Sequence, residues 1–246
     1  MPLSYAEMER HLMDELRLYH HPIAVTFLAT DAEVAEFKRT TPHVVPVKSL
    51  TFCQWEIAAR MQGKTVLGTK DKLFCTNAQC SFGWHEIDEG EIKSQLKYCV
   101  DAAQAERFLR SKPHLPKDSI RALAVGPLGQ AVLPPSVVHF YCDSMQAYHL
   151  AVDYMAATDT HPIRPLLMMS SSACGSSAYS FLEQAFNFCP PCSGSYNAGK
   201  TERGEVNVTI PGTQIGAVVE RLLARIEEKG STTRSEERRV GKECRS

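Results

Sequence analysis

The stretch SYAEMERHLMDELRLYHHPIAVTFL, residues 4–28, carries the pattern on which the fold depends. Its first part spaces apolar side chains over Met8–Leu16 along one face of an amphipathic helix, and Ser4 is a candidate N-cap. A proline then ends the helix, and Ile23–Leu28 is a continuous apolar run typical of a buried strand. A helix and a strand therefore follow one another directly at the start of the chain.

The same alternation continues along the sequence. Helical patterns recur at Asp31–Lys38, Glu56–Met61, Glu91–Leu109, Met145–Ala157, Gly175–Phe186 and Thr213–Glu228. Strand patterns recur at His43–Val47, Lys64–Leu67, Ala122–Val125, Val137–Cys142, Leu166–Met169 and Glu205–Ile210. Residues 70–83 have no clear period and predict a loop. Together these patterns predict an α/β (or α+β) protein, with a mixed sheet covered by helices, in a single domain over residues 1–230.

The last residues differ from the rest in composition. From Gly230 the chain is polar and dense in charge, without periodicity, so residues 231–246 are expected to be disordered. The segment RSEERRVGKECRS, residues 234–246, resembles a translated sequencing adapter, and a natural basic tail is the alternative. Cys244 is therefore set aside from the arguments below.

Composition and charge exclude several classes of protein. The net charge of −1 does not favour a nucleic-acid or acidic-membrane partner. No apolar run reaches the roughly 20 residues of a membrane span, and the N-terminus lacks the pattern of a signal peptide, so a cytoplasmic location is expected. The chain has no glycine-rich phosphate loop and no GxSxG motif. Because it also shows no acid–base pair, the sequence leaves open whether the protein is an enzyme.

Nine cysteines in a cytoplasmic chain suggest metal binding or thiol chemistry, because disulfides rarely persist in that compartment. Cys99 and Cys142 fall within apolar helix and strand patterns and are expected to pack in the core. The candidate functional cysteines are the six outside such patterns: Cys53, Cys75, Cys80, Cys174, Cys189 and Cys192.

These six are distributed alike over residues 20–110 and 120–230. In each part, one cysteine precedes a helical pattern (Cys53 or Cys174), and a cysteine pair follows (75/80 or 189/192). The two parts are therefore possible pseudo-repeats. In that case a pseudo-twofold axis would bring both cysteine sets together.

Several chemistries fit these cysteines. A thiolate is favoured at a helix N-terminus, and the CxxC spacing of Cys189 and Cys192 suits either one metal ion or a redox disulfide. Four thiolates suit zinc or an iron–sulfur cluster. Buried structural cysteines are the alternative.

His85 is a candidate non-thiol ligand. Arg60 and Lys64 either neutralise an anion or are solvated at the surface.

Several short motifs extend over nearly the whole natural chain, from about Glu7 to Glu228. They are Pro22-Ile23-Ala24-Val25, Phe52-Cys53-Gln54, Ala58-Ala59-Arg60, Gly63-Lys64-Thr65, Cys75, Ala78, Ala173-Cys174, Cys192–Ser195 and Glu205 through Ile210-Pro211. In these motifs the chain resembles the prokaryotic family called domain of unknown function 169.

The resemblance implies a ligand set of Cys53, Cys75, Cys174 and Cys192. Cys80 and Cys189, the other members of the two cysteine pairs, are the alternates. The family's distribution among anaerobes implies an oxygen-sensitive centre. The chain departs from the family pattern at two positions. Asn77 stands where a glycine is usual. Tyr196 stands where an arginine is usual, a change that would remove an anion contact.

The expected function is that of a cytosolic, cysteine-ligated iron–sulfur or metal-binding protein of anaerobic redox or cofactor metabolism. Its partner would be a redox protein or a small molecule, and neither nucleic acid nor membrane. One alternative is a small-molecule-binding or regulatory module with structural cysteines. Another is a scaffold stabilised by zinc.

Overall fold

The computed structural model describes residues 2–41, 43–45 and 48–229, which form ten α-helices and six strands. The helices are α1 (Tyr5–Leu16), α2 (Asp31–Thr40), α3 (Phe52–Arg60), α4 (Thr76–Ser81), α5 (Glu89–Gln95), α6 (Ala102–Ser111), α7 (Ser144–Thr158), α8 (Ser172–Glu183), α9 (Ser193–Asn197) and α10 (Ile215–Lys229). The strands are β1 (Ile23–Leu28), β2 (Val66–Thr69), β3 (Ala122–Pro127), β4 (Val137–Cys142), β5 (Asn187–Cys189) and β6 (Val206–Pro211).

The six strands form one sheet in the order β2-β3-β1-β4-β6-β5. Every pairing between these strands is antiparallel. The only parallel pairings in the described residues are two isolated bridges, Val45–Val66 and Leu50–Leu73. The expected α/β or α+β class with helices covering a sheet is confirmed, and the sheet is antiparallel rather than mixed.

The two halves of the sheet have the same arrangement of strands when the chain is divided between β3 and β4. In the first part β1 is central, β3 is next and β2 is at the edge; in the second part β4, β6 and β5 take the same places. The antiparallel pair β1–β4 joins the two parts. This division differs from the predicted halves at residues 20–110 and 120–230, since β3 at Ala122–Pro127 belongs with β1 and β2, and the duplication itself stays a prediction.

The two faces of the sheet bury different helices. Alternate residues of β4 point to opposite faces, as the period of a strand requires. Val138 and Phe140 pack in a core with α1, α7 and α10. Val137 and Tyr141 pack in a second core with α3 and α8. The second face carries the cysteine-bearing helices.

Several predicted boundaries agree with the structure, and the start of α1 explains why. Ser4 caps α1 as expected, since its hydroxyl accepts from the N–H of Glu7 and the Glu7 carboxylate accepts from the N–H of Ser4. Strands β1 and β4 have the predicted limits. Both are apolar runs flanked by residues that end a strand.

Three predictions are wrong. Residues 70–83 are not a continuous loop, since they contain α4. The helix predicted at Glu91–Leu109 is two helices, α5 and α6, because Asp101 accepts from the N–H of Gln104 and starts a new helix. No strand forms at Leu166–Met169.

Two predicted segments lie wholly or partly outside the described residues: the strand at His43–Val47 in part, and the disordered tail at residues 231–246 entirely. None of the described helices has the length and apolar character needed to cross a bilayer.

Candidate functional site

A cavity of about 140 Å³ lies where the starts of α3, α4, α8 and α9 meet the end of α5. Its walls hold four cysteines, several small polar side chains and one lysine. The lining residues are Thr51, Phe52, Cys53, Cys75, Asn77, Ala78, Gln95, Lys97, Tyr98, Ser170, Ser171, Ser172, Ala173, Cys174, Cys192, Ser193 and Gly194. We call this cavity the cysteine pocket.

Two of the cysteines stand in the first turns of the longer helices. Cys53 is the second residue of α3, which Thr51 caps through its hydroxyl, and Cys174 is the third residue of α8. The N-terminal ends of both helices therefore face the same cavity. The positive ends of their dipoles favour a negatively charged occupant.

The other two cysteines occupy equivalent places in the two parts of the chain. Cys75 is the N-cap of α4 and Cys192 is the N-cap of α9. By position in the structure, Cys75 is therefore the equivalent of Cys192. The order of the cysteines in the sequence instead predicts that Cys75 is the equivalent of Cys189. The four cysteines of the family pattern all line the pocket, two from each part of the chain.

The remaining candidates lie elsewhere. Cys80 is buried and lines a different cavity beside His85, and Cys189 is buried on β5 outside the cysteine pocket. His85 pairs with Asp88 at 3.1 Å and does not line the cysteine pocket. Cys99 and Cys142 are buried, as expected for core residues.

Burial dominates the chemistry of three pocket thiols. It raises the pKa of Cys53 well above the ordinary value, and the negative charges of Glu56 and of the neighbouring thiolates add to the rise. Burial likewise raises the pKa of Cys75, and that of Cys174 to about 12. Without a metal these three side chains are neutral thiols at pH 7. Metal binding there would release their protons.

Cys192 differs from the other three. Burial raises its pKa, but hydrogen bonds from the hydroxyl of Ser172 and from the N–H groups of Ser195, Ser172 and Gly194 outweigh that effect, and the net pKa is lowered. The N–H of Ser195 lies 3.5 Å from the sulfur. Cys192 is therefore the pocket thiol most readily ionised.

We expect Cys192 to be alkylated faster than Cys75 when the metal-free protein is treated with iodoacetamide at pH 7. Both side chains are partly exposed, so the reagent can reach either thiol and we expect the thiolate fraction to decide the rate. Peptide mapping by mass spectrometry over time measures both rates. Equal rates, or faster reaction at Cys75, would contradict the assigned order of ionisation.

The arrangement distinguishes between kinds of metal site. Within residues 2–41, 43–45 and 48–229, no three His, Cys, Asp or Glu side chains are close enough to share one metal ion. A single tetrahedral zinc needs four ligands within about 2.3 Å of one point. In an iron–sulfur cluster the thiolates bind different iron atoms, so they surround a larger core. The pocket volume of about 140 Å³ is several times the roughly 10–15 Å³ that one water needs, so the pocket can hold an occupant larger than a single water.

Lys112 lies behind the pocket wall and was not singled out by the sequence. Its ammonium group donates to Asn77 Oδ1 at 3.0 Å and to Ser171 Oγ at 3.1 Å, and both acceptors line the pocket. Asn77, at the position where the resemblance implies a glycine, supplies one of these acceptors. A lysine after an exposed helix is an ordinary sequence feature, so no local signal could have identified it.

Three further candidates are corrected or located by the structure. Arg60 is not solvated, since it is 1% exposed and donates to the carbonyls of Gly199 and Lys200. It does not line the cysteine pocket, and Lys64 is exposed. Tyr196, at the position of the usual arginine, is also exposed and outside the pocket wall.

A buried polar network lies next to Cys53. Glu56 Oε1 lies 2.8 Å from His139 Nδ1, and Glu56 Oε2 accepts from the hydroxyl of Tyr141 at 2.6 Å. Ser177 Oγ lies 3.0 Å from His139 Nε2. The order Ser–His–Glu has the form of a hydrolase triad. Ser177 is fully buried, does not line the cysteine pocket and donates to the carbonyl of Ala173 at 3.0 Å, so its hydroxyl is held within the core.

Comparison with known proteins identifies the family alone. Neither the curated proteins nor the solved structures contain a match to the chain. A family model described as "uncharacterised ArCR" matches residues 11–221. That match covers most of the chain, which therefore belongs to the domain of unknown function 169 family.

Proposed function

We propose that this chain is a cytoplasmic iron–sulfur protein of anaerobic redox or cofactor metabolism, with Cys53, Cys75, Cys174 and Cys192 as the ligands. The observation that carries the proposal is that these four thiols, two from each part of the chain, line one cavity. When bound, a cluster of this kind accepts and donates single electrons. A redox protein or a small molecule at the pocket would be the partner.

The environment of the pocket supports a negatively charged occupant. The first turns of α3 and α8 direct their N–H groups toward the cavity, and hydrogen bonds from Ser172, Ser195 and Gly194 stabilise the thiolate of Cys192. A cluster held by four thiolates is anionic. The pocket therefore offers both the ligands and the surroundings that such a centre needs.

The proposal is tested by purifying the full chain without oxygen and by reconstituting it with ferrous iron and sulfide. We expect a brown protein that contains iron and acid-labile sulfide and whose visible absorption is bleached by dithionite. Elemental analysis measures the iron and the acid-labile sulfide, and absorption spectra measure the bleaching by dithionite. A colourless protein with stoichiometric zinc would instead support the zinc-stabilised scaffold.

A regulatory module that binds a small molecule is the second candidate. The raised pKa values of Cys53 and Cys174, caused first by burial, favour it, because neutral buried thiols can serve as structural apolar groups. A folded protein that takes up neither iron nor zinc under either condition would favour this function and would contradict the iron–sulfur proposal.

A further inference from the structure

The ammonium group of Lys112 is buried although its hydrogen-bond partners are uncharged. The residue follows α6 and is 4% exposed. Two of its three N–H groups are taken by Asn77 and Ser171 in the pocket wall. The side chain also lies near the ring of Phe108, with the nitrogen 5.4 Å from the ring centroid. The hydrogen-bonding capacity of the ammonium group is thus largely satisfied, but neither hydrogen-bond partner carries a negative charge.

No carboxylate of the described chain lies within the 4.0 Å ion-pair distance of Lys112 Nζ. The groups that would act on it electrostatically when ionised are Cys174 first, followed by Cys80, Glu91 and Cys75. Two of these are pocket cysteines. Removing a charge from water without a counter-charge is costly, and proteins compensate by pairing it. An anion in the cysteine pocket would provide that compensation.

We infer that Lys112 is the buried counter-cation of a negatively charged, thiolate-ligated centre in the cysteine pocket. The inference rests on the proposed function. It adds a residue that places a positive charge near the centre without being one of its ligands. A positive charge behind the wall stabilises the more negative, reduced state of the centre more than the oxidised state. Lys112 therefore raises the reduction potential of the cluster.

The Lys112→Met variant removes the charge while keeping a chain of similar length. After reconstitution we expect a more negative midpoint potential in a dye-mediated redox titration, and faster loss of iron to a chelator. Lys112→Arg, which keeps the charge, should stay closer to the wild-type potential. The matched control is Lys38→Met on α2, which removes an exposed charge that does not line the cysteine pocket and should change neither value.

Folding of the variant has its own expected result. Because an unpaired buried charge is replaced by an apolar side chain, metal-free Lys112→Met should be at least as stable as the wild type in urea. If the Met variant does not fold, Lys112→Gln provides the same loss of charge with a polar end. A purely structural lysine would lower the stability of the metal-free protein and leave the potential unchanged.

The outcomes separate the inference from the proposed function. If the wild type binds iron and sulfide and the neutral variants keep its midpoint potential and iron retention, Lys112 is not the counter-cation and the iron–sulfur proposal stands. If the wild type binds no iron, both are overturned. A lower potential and faster iron loss in the neutral variants, but not in Lys38→Met, support the inference.

Discussion

Replacing Cys174 with alanine is expected to abolish iron binding by the reconstituted protein. The thiol lines the cysteine pocket in the first turn of α8, where no other cysteine can take its place, since Cys189 lies outside the pocket. Loss of a partner that only supports a ligand costs roughly 10–100-fold in metal affinity. Loss of a ligand itself should lower the metal affinity by more than this factor. Iron and acid-labile sulfide per chain, with the visible spectrum, measure the effect.

Cys142→Ala is the matched control for this experiment. Cys142 is as deeply buried as Cys174, but it packs on the opposite face of the sheet with α1, α7 and α10. Either substitution removes a methyl-sized group from a core, a change that costs about 1 kcal/mol. Only Cys174→Ala should lose the cluster. Normal iron and sulfide in Cys174→Ala, or equal loss in both variants, would contradict the assigned ligand set.

Replacing Glu56 with alanine is expected to destabilise the protein by about 3–5 kcal/mol, the usual cost of removing one partner from a buried charged network. The carboxylate is fully buried, and its loss leaves His139 Nδ1 and the Tyr141 hydroxyl without their acceptor. Unfolding in urea, followed by the fluorescence of the buried Trp55 and Trp84, measures the free energy.

Glu36→Ala serves as the control for Glu56. Glu36 is a partly exposed residue on α2 that pairs with Arg39 at the surface, where solvent screens the interaction, so its loss should have little effect on unfolding. Glu56→Gln should lie between the two, since an amide keeps the shape and part of the hydrogen bonding. A midpoint for Glu56→Ala no lower than that of Glu36→Ala would show that the network contributes little.

How far the sequence predicted the elements depended on their length. The limits of β1 and β4 follow directly from apolar runs. Short elements gave no usable period: α4 has six residues, and β5 has three. Between α5 and α6 the apolar spacing continues through Leu96 and Val100, both of which are exposed, so the pattern concealed the break.

The residues of the candidate site were likewise predicted only in part from the sequence. Cysteine placement and the family pattern singled out Cys53, Cys75, Cys174 and Cys192. Neither could identify Lys112, because a lysine after a helix looks the same in sequence whether its ammonium group is in water or behind a pocket wall. Burial of a charged group depends on what packs over it, and that comes from distant segments such as Asn77 and Ser171.

By itself, the sequence determined the alternation of helices and strands, the fold class and the four cysteines most suited to a shared site. The tertiary structure alone decided that these thiols line one cavity, that Cys80 and Cys189 lie outside it, and that Lys112 stands behind its wall. The physical reason is that local patterns report which face of an element is buried. The central pairing of β1 with β4, by contrast, joins two distant parts of the chain, and no local pattern encodes which side chains meet there.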